Sequence, residues 1–175
     1  MDLQSSVHQH KQEAPKQVTC MVITVSDTRT EETDKSGELM KQLLEEAGHR
    51  TALYRLVPDE PEEIKKAIHE GLAHKSVEVI LLNGGTGISP RDTTYETVAS
   101  LLEKEMPGFG ELFRYLSYVE DIGSAAMLSR AVAGTIQGKA IFSTPGSRGA
   151  VKLAMTKLIL PELGHVVREL NKDRL

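Results

Sequence analysis

Tryptophan is absent, cysteine occurs once, and aromatic residues make up only 4% of the 175-residue chain. A lone cysteine excludes an intrachain disulfide framework and any multi-cysteine zinc site. Scarce aromatics, with no run of Lys or Arg beside them, argue against a surface on which nucleic-acid bases stack. Excess positive charge is missing as well. Lys and Arg number 21 against 25 Asp and Glu, a formal net charge of −4, so the chain as a whole attracts neither nucleic acid nor anionic membrane. No stretch approaches the ~18 consecutive apolar residues of a spanning helix, and Met1 to Lys16 holds no apolar signal core. The expected location is the cytoplasm. What remains is ordinary globular composition, 39% hydrophobic and 26% charged with a mean hydropathy of −0.26. At roughly 150 residues per domain, that makes one domain.

Residues 1–17 are rich in Gln, Ser, His and Lys without periodicity, which predicts a flexible N-terminal arm. Its His8 and His10 are two apart, a spacing more often solvated than metal-binding. Residues 18–175 form the single folded domain. Val18 to Val25 is a β-branched apolar run, and Leu39, Met40, Leu43, Leu44 and Ala47 then recur at helical spacing before Gly48. Thr51 to Val57 reads as a second strand, and Ile64, Ala67, Ile68 and Leu72 share one helical face. Val77 to Leu82 reads as a third strand, apolar except at Glu78. Continuous apolarity means a strand covered on both faces, hence a three-layer α/β/α fold with a largely parallel central sheet.

Further on, Thr93 to Glu103 is helical, with Thr93 and Glu96 at capping-box spacing. Pro107 to Glu120 predicts a short helix, and Ser129 to Gly134 and Lys139 to Thr144 predict a hairpin around Gly138. Val151 to Leu170 is helical, with a kink or a break expected at Pro161.

The strongest chemical feature is Asn83-Gly84-Gly85-Thr86-Gly87-Ile88-Ser89-Pro90-Arg91-Asp92, which leaves a buried strand and enters a helix. Ligands bind at that position in open α/β sheets. Gly84, Gly85 and Gly87 let backbone N–H groups approach an anion, Thr86 adds a hydroxyl and Arg91 a cation. The loop is neither a Walker A sequence nor GxGxxG. Pro145-Gly146-Ser147 leaves a second apolar strand; there an anion site and simple helix capping by Ser147 are equally good readings. Asp27, Asp59 and Asp92 stand at the ends of three strands. Singly each suits a cap. Together, beside phosphate-binding loops, they suit Mg²⁺, and Asp59 and Asp92 are the expected metal-dependent pair. Cys20 lies in an apolar strand as an inert core thiol, and His49 and His165, after glycines near helix ends, read as solvated.

The ordered set Thr24-Val25-Ser26-Asp27, Val57-Pro58-Asp59-Glu60, Leu81 to Gly87 with Asp92 following, Met106 to Glu111, Leu128 to Gly134 and Thr144 to Ser147 resembles the MoaB/MogA family of molybdenum cofactor biosynthesis proteins. The resemblance spans nearly all of Val18 to Leu170. It implies a molybdopterin-binding domain and Mg²⁺-dependent adenylylation of molybdopterin by ATP, giving adenylyl-molybdopterin and pyrophosphate. Asp59 and Asp92 match the family's functional aspartates. Gly84 to Gly87 and Pro145 to Ser147 match its pterin and phosphate contacts, and Ser26, Asp27 and Arg91 are further expected substrate-binding residues. It further implies a homo-oligomer, trimer or hexamer, working beside other proteins of the pathway. The apolar Phe109 to Leu116 segment is a candidate for that interface. The alternative within the family is a non-catalytic molybdopterin carrier or scaffold.

Overall fold

The computed structural model of the chain describes residues 3–174. Its sheet has the strand order β2-β1-β3-β6-β5-β4. These strands are β1 (Thr19–Val25), β2 (Arg50–Val57), β3 (Val79–Asn83), β4 (Lys104–Glu105), β5 (Val132–Ile136) and β6 (Lys139–Thr144). β2, β1, β3 and β6 run parallel. β5 and β4 close the far edge antiparallel. The sheet is therefore mixed but mainly parallel.

Alternate strand residues feed two separate cores, which is why β1 and β3 are apolar on both faces. Cys20, Val22, Val79, Leu81 and Phe142 pack beneath α2 (Lys35–Glu46), α5 (Pro107–Glu120), α6 (Arg148–Ala154) and α7 (Leu160–Asn171). Met21, Ile23, Ile80, Leu82 and Ile141 pack beneath α3 (Pro61–Ala73) and α4 (Thr94–Leu101). The result is the three layers expected. Within the first core, burial pushes the Cys20 thiol up to about 12, helped by the nearby Glu78 carboxylate, so it stays protonated and unreactive.

The hairpin forms as expected. Gln137 and Gly138 both take positive φ, 50° and 75°, the signature of a tight turn that matches strand twist. The break near Pro161 is a π turn over Met155–Ile159. Pro161 follows directly, in the first turn of α7, and the π turn accommodates the intrahelical hydrogen bond that its missing N–H cannot make.

Four local expectations change. β5 starts at Val132 rather than Ser129, because Arg130 is drawn out to the glycine loop. The capping box does not form: Thr93 makes no side-chain cap bond to its own helix, its hydroxyl donating to Asp59, while Glu96 pairs with Arg130. His49 is not solvated; its Nδ1 accepts from Val18 N at 3.0 Å. Residues 3–12 form a helix, α1 (Leu3–Gln12), although they lack apolar periodicity. Lys11 ties it to Glu162 of α7 at 2.5 Å, and Arg168 of α7 pairs with Glu13, just beyond its end, at 2.6 Å. Hydrophobic pattern alone does not disclose contacts of that kind.

Candidate functional site

Parallel register brings four strand ends to one edge. Val25 pairs with Val57, Thr24 with Asn83, and Asn83 with Thr144. The loop after β1 leads to α2 on one face of the sheet, and the loop after β3 leads to α4 on the other. Chain segments diverging from adjacent strands open a crevice between them. A cleft of about 370 Å³ lies there, lined by Ser26, Arg29, Gly84, Gly85, Thr86, Gly87, Asp92, Ser129, Pro145 and Gly146, among others. At Ser129 it adjoins a second cleft of about 360 Å³, lined by Tyr95, Met106, Arg114, Met127 and Arg130 among others. Both have the size of small-molecule sites.

The glycines are required by contact as well as by conformation. Gly84 has φ +105°, and a Cβ there would stand 2.1 Å from the backbone oxygen of Val25. Gly85 has φ +67°, and its Cβ would meet Thr94 Oγ1 at 2.0 Å and Asp59 Oδ2 at 2.4 Å. The loop is thus pressed onto β1 on one side and onto the start of α4 on the other. Its outer wall is held by Arg130, a residue of the Leu128 to Gly134 motif to which the sequence by itself assigns no role. Arg130 Nε donates to Thr86 O at 3.3 Å, and Nη2 donates to Gly87 O at 2.5 Å and Asp92 O at 3.3 Å. Its backbone N–H adds a bond to Thr86 O at 3.2 Å. One guanidinium therefore gathers three carbonyls, which commits those oxygens to the outside of the loop.

The cations exchange roles relative to expectation. Arg91 does not line the cleft. Its fork holds Asp27 through Nε and Nη2 at 2.7 and 3.0 Å and Glu60 through Nη1 at 2.5 Å. Arg29 is the basic residue that lines the cleft. It is anchored by donating to Gly146 O at 2.9 Å, with Asp34 at 3.6 Å. Its position two residues beyond Asp27, in the loop leaving β1, was the available signal. Ser147 is not among the lining residues; its hydroxyl accepts from Ala150 N at 3.1 Å and caps α6, the simpler of its two readings.

The three aspartates separate by environment. Asp59 is only 5% exposed, and its Oδ1 accepts from Thr93 N at 3.1 Å, Thr93 Oγ1 at 2.6 Å and Thr94 Oγ1 at 3.5 Å. Its own N–H donates to Asp27 Oδ1 at 3.0 Å. Asp59 thereby ties the ends of β1 and β2 to the first turn of α4. Asp92 lines the cleft, with Oδ2 accepting from Ser89 N at 3.1 Å. Asp27 is lowered to about 2, first by the Arg91 hydrogen bonds and then by the Asp59 N–H. Because the folded-state value lies below the unfolded one, this pair stabilises at pH above ~4 and is lost as pH falls through about 2. Acid unfolding followed by circular dichroism should show that limb, and Asp27→Asn should flatten it.

Known proteins share this architecture and much of this sequence. The model of a family described as a probable molybdopterin binding domain matches residues 21–165. A molybdenum cofactor biosynthesis protein B of Bacillus subtilis is 62% identical over 169 residues, covering 97% of this chain and 99% of the relative. A crystal structure of a molybdenum cofactor biosynthesis protein B shares 60% identity and superposes with a TM-score of 0.89 over 91% of this chain and 99% of that one. The tungsten cofactor synthesizing protein MoaB from Pyrococcus furiosus is 39% identical, with a TM-score of 0.80 over 90% of this chain and 99% of that chain.

Proposed function

The chain belongs to the MoaB/MogA family of molybdenum cofactor biosynthesis proteins, and on that premise we propose that it adenylylates molybdopterin with ATP. The observation carrying this reading is the cleft at the carboxyl edge of the sheet. Gly84 to Gly87 and Pro145-Gly146 line it together with one cation, Arg29, and one carboxylate, Asp92. The adjoining cleft beyond Ser129 gives room for a second substrate.

In this reaction an oxygen of the molybdopterin terminal phosphate attacks the α-phosphorus of ATP. The bond from that phosphorus to the bridging oxygen breaks, and pyrophosphate leaves with the electron pair. The attacking oxygen is already anionic, so no general base is needed. Cleft-lining residues include neither His nor Cys, in keeping with a reaction that needs alignment and charge neutralisation above all. Arg29, fixed by Gly146 O, binds phosphate oxygens. Backbone groups of Gly84 to Gly87, held by Arg130 and Asp59, orient the attacker. Magnesium, when bound with the triphosphate, neutralises part of its charge. Asp92 fits as its protein ligand, since magnesium commonly takes one or two carboxylates and completes its shell with phosphate and water. Asp59, enclosed and with Oδ1 engaged by Thr93 and Thr94, acts as a positioning residue.

Arg130→Lys keeps the charge but not the fork. Expected is a rise in KM for molybdopterin of about tenfold or more, with kcat falling less, because the loop is displaced rather than its chemistry removed. Steady-state kinetics on the variant measure the split.

We also infer self-association. Within the candidate Phe109 to Leu116 segment, Phe109 and Phe113 are buried in their own subunit. Beside them, however, Leu112, Tyr115, Tyr118, Val119, Ile122, Met127 and Leu128 are 45–80% exposed on α5 and the 3₁₀ turn that follows it. Large apolar side chains exposed together on one helix and the turn after it mark an interaction surface. Light scattering should give a multiple of 19.2 kDa, a trimer or hexamer, and Tyr118→Glu should shift it toward the monomer.

The test of function is a turnover assay with molybdopterin, ATP and Mg²⁺ that follows adenylyl-molybdopterin and pyrophosphate together. Mg²⁺-dependent product supports the adenylyltransferase. Pterin binding without product would make the chain a carrier or scaffold, and absence of pterin binding would overturn both.

A further inference from the structure

We propose that His10, His165 and Glu169 form a binding site for a divalent transition ion of the zinc class, which fastens α1 to α7. One ligand atom from each of these side chains lies within 4.8 Å of the other two. All three residues are half-buried. The two imidazoles face each other at 6.0 Å between centroids, tilted by 58°. His165 and Glu169 are four residues apart on α7, so they share a helical face, and α1 brings His10 against that face.

Three features favour an ion over a simple ion pair. His10 Nδ1 stands 3.6 Å from Glu169 Oε1, beyond hydrogen-bond range. His165 Nδ1 lies 2.9 Å from Glu162 Oε2. Donation to that carboxylate fixes the tautomer that leaves Nε2 with its lone pair, the arrangement that usually orients a metal-ligating histidine. Finally, two imidazoles and one carboxylate suit zinc, whereas magnesium and calcium prefer oxygen alone. A tetrahedral ion with bonds of ~2.0–2.1 Å needs ligand atoms ~3.4 Å apart. Closure of roughly an ångström is then required, which a peripheral helix can supply. Competition comes from Lys172 and Arg168, which approach Glu169 at 2.9 and 3.1 Å. The surrounding Glu13, Glu162 and Glu169 balance Lys11, Arg168 and Lys172, so selectivity rests on the imidazoles and not on a long-range field.

The experiment uses the full-length protein after chelator treatment, titrated with Zn²⁺ by calorimetry and with Co²⁺ by visible absorption. Expected is one ion per chain, with the intense bands of a four-coordinate Co²⁺ site. Affinity should fall about tenfold or more in His10→Ala and in His165→Ala, and about tenfold in Glu162→Gln. Zn²⁺ should also slow amide exchange over residues 3–12 in the wild type but not in His10→Ala. Equal binding by wild type and the His10→Ala/His165→Ala double variant would overturn the site and assign the ion to other surface histidines. So would six-coordinate Co²⁺ spectra in the wild type, or binding that leaves α1 exchange unchanged. None of these readouts depends on molybdopterin turnover.

Discussion

Gly84→Ala is expected to destabilise the domain by about 3–5 kcal/mol, at the upper end of what single substitutions do. Two costs combine. A non-glycine residue at φ +105° loses about 1–2 kcal/mol to its own backbone. The added Cβ would also stand 2.1 Å from Val25 O, and that oxygen belongs to β1, an interior strand flanked by β2 and β3. No rotamer change relieves the overlap; the ends of two buried strands must separate. Gly48 provides the control. It has φ +84°, and a Cβ added there would meet nothing within 4 Å, so Gly48→Ala should lose only the backbone share, about 1–2 kcal/mol. At about 2–4 °C per kcal/mol for a chain of this length, thermal unfolding should separate the two variants by several degrees. Equal losses would mean that the contact with Val25 carries no weight.

Asp59→Ala and Asp59→Asn should part company with Asp92→Asn. Removing the Asp59 carboxylate leaves the amide and hydroxyl of Thr93 without their acceptor beside a buried helix start. The expected loss is about 2–3 kcal/mol for Asp59→Ala, together with a sharp fall in adenylyl transfer as the loop from Gly85 to Thr94 shifts. Asparagine keeps one acceptor oxygen in the same place, so Asp59→Asn should retain turnover within about tenfold. Asp92→Asn removes the carboxylate that lines the cleft and should lower turnover about a hundredfold or more, with little effect on unfolding, as expected for a charge used in the transition state. If Asp59→Asn fell as far as Asp92→Asn, the Asp59 charge would itself act on the reacting groups, and its assignment as a positioning residue would be wrong.

Both predictions rest on strand ends meeting, and much of that was legible beforehand. Val18 to Val25 and Val77 to Leu82 are mostly apolar, interrupted only by Thr19, Thr24 and Glu78, so a sheet covered on both faces followed from composition along the chain. Glycines at 84, 85 and 87, directly after such a strand, marked where a backbone must come close to something. These signals are local: a strand's covering and a turn's φ leave their mark within a few residues. The same locality explains the π turn ahead of Pro161, since the ring excludes only its own helix's hydrogen bond.

The partners of the charged residues were not legible. Arg91 stands beside the glycine loop in sequence, yet Asp27 and Glu60, from loops after two other strands, hold its guanidinium away from the cleft lining. Arg29 takes that place, and Arg130, far along the chain, closes the loop's outer wall. Thr93 gives its hydroxyl to Asp59 and not to its own helix. α1 carries no apolar stripe and rests on α7 through ion pairs that only proximity creates. Hydrophobic burial is non-directional and close to additive along the chain, so period and run length disclose it. A charged side chain has several acceptors within reach once the chain is folded, and which one it takes depends on strand register and on crossovers between segments dozens of residues apart.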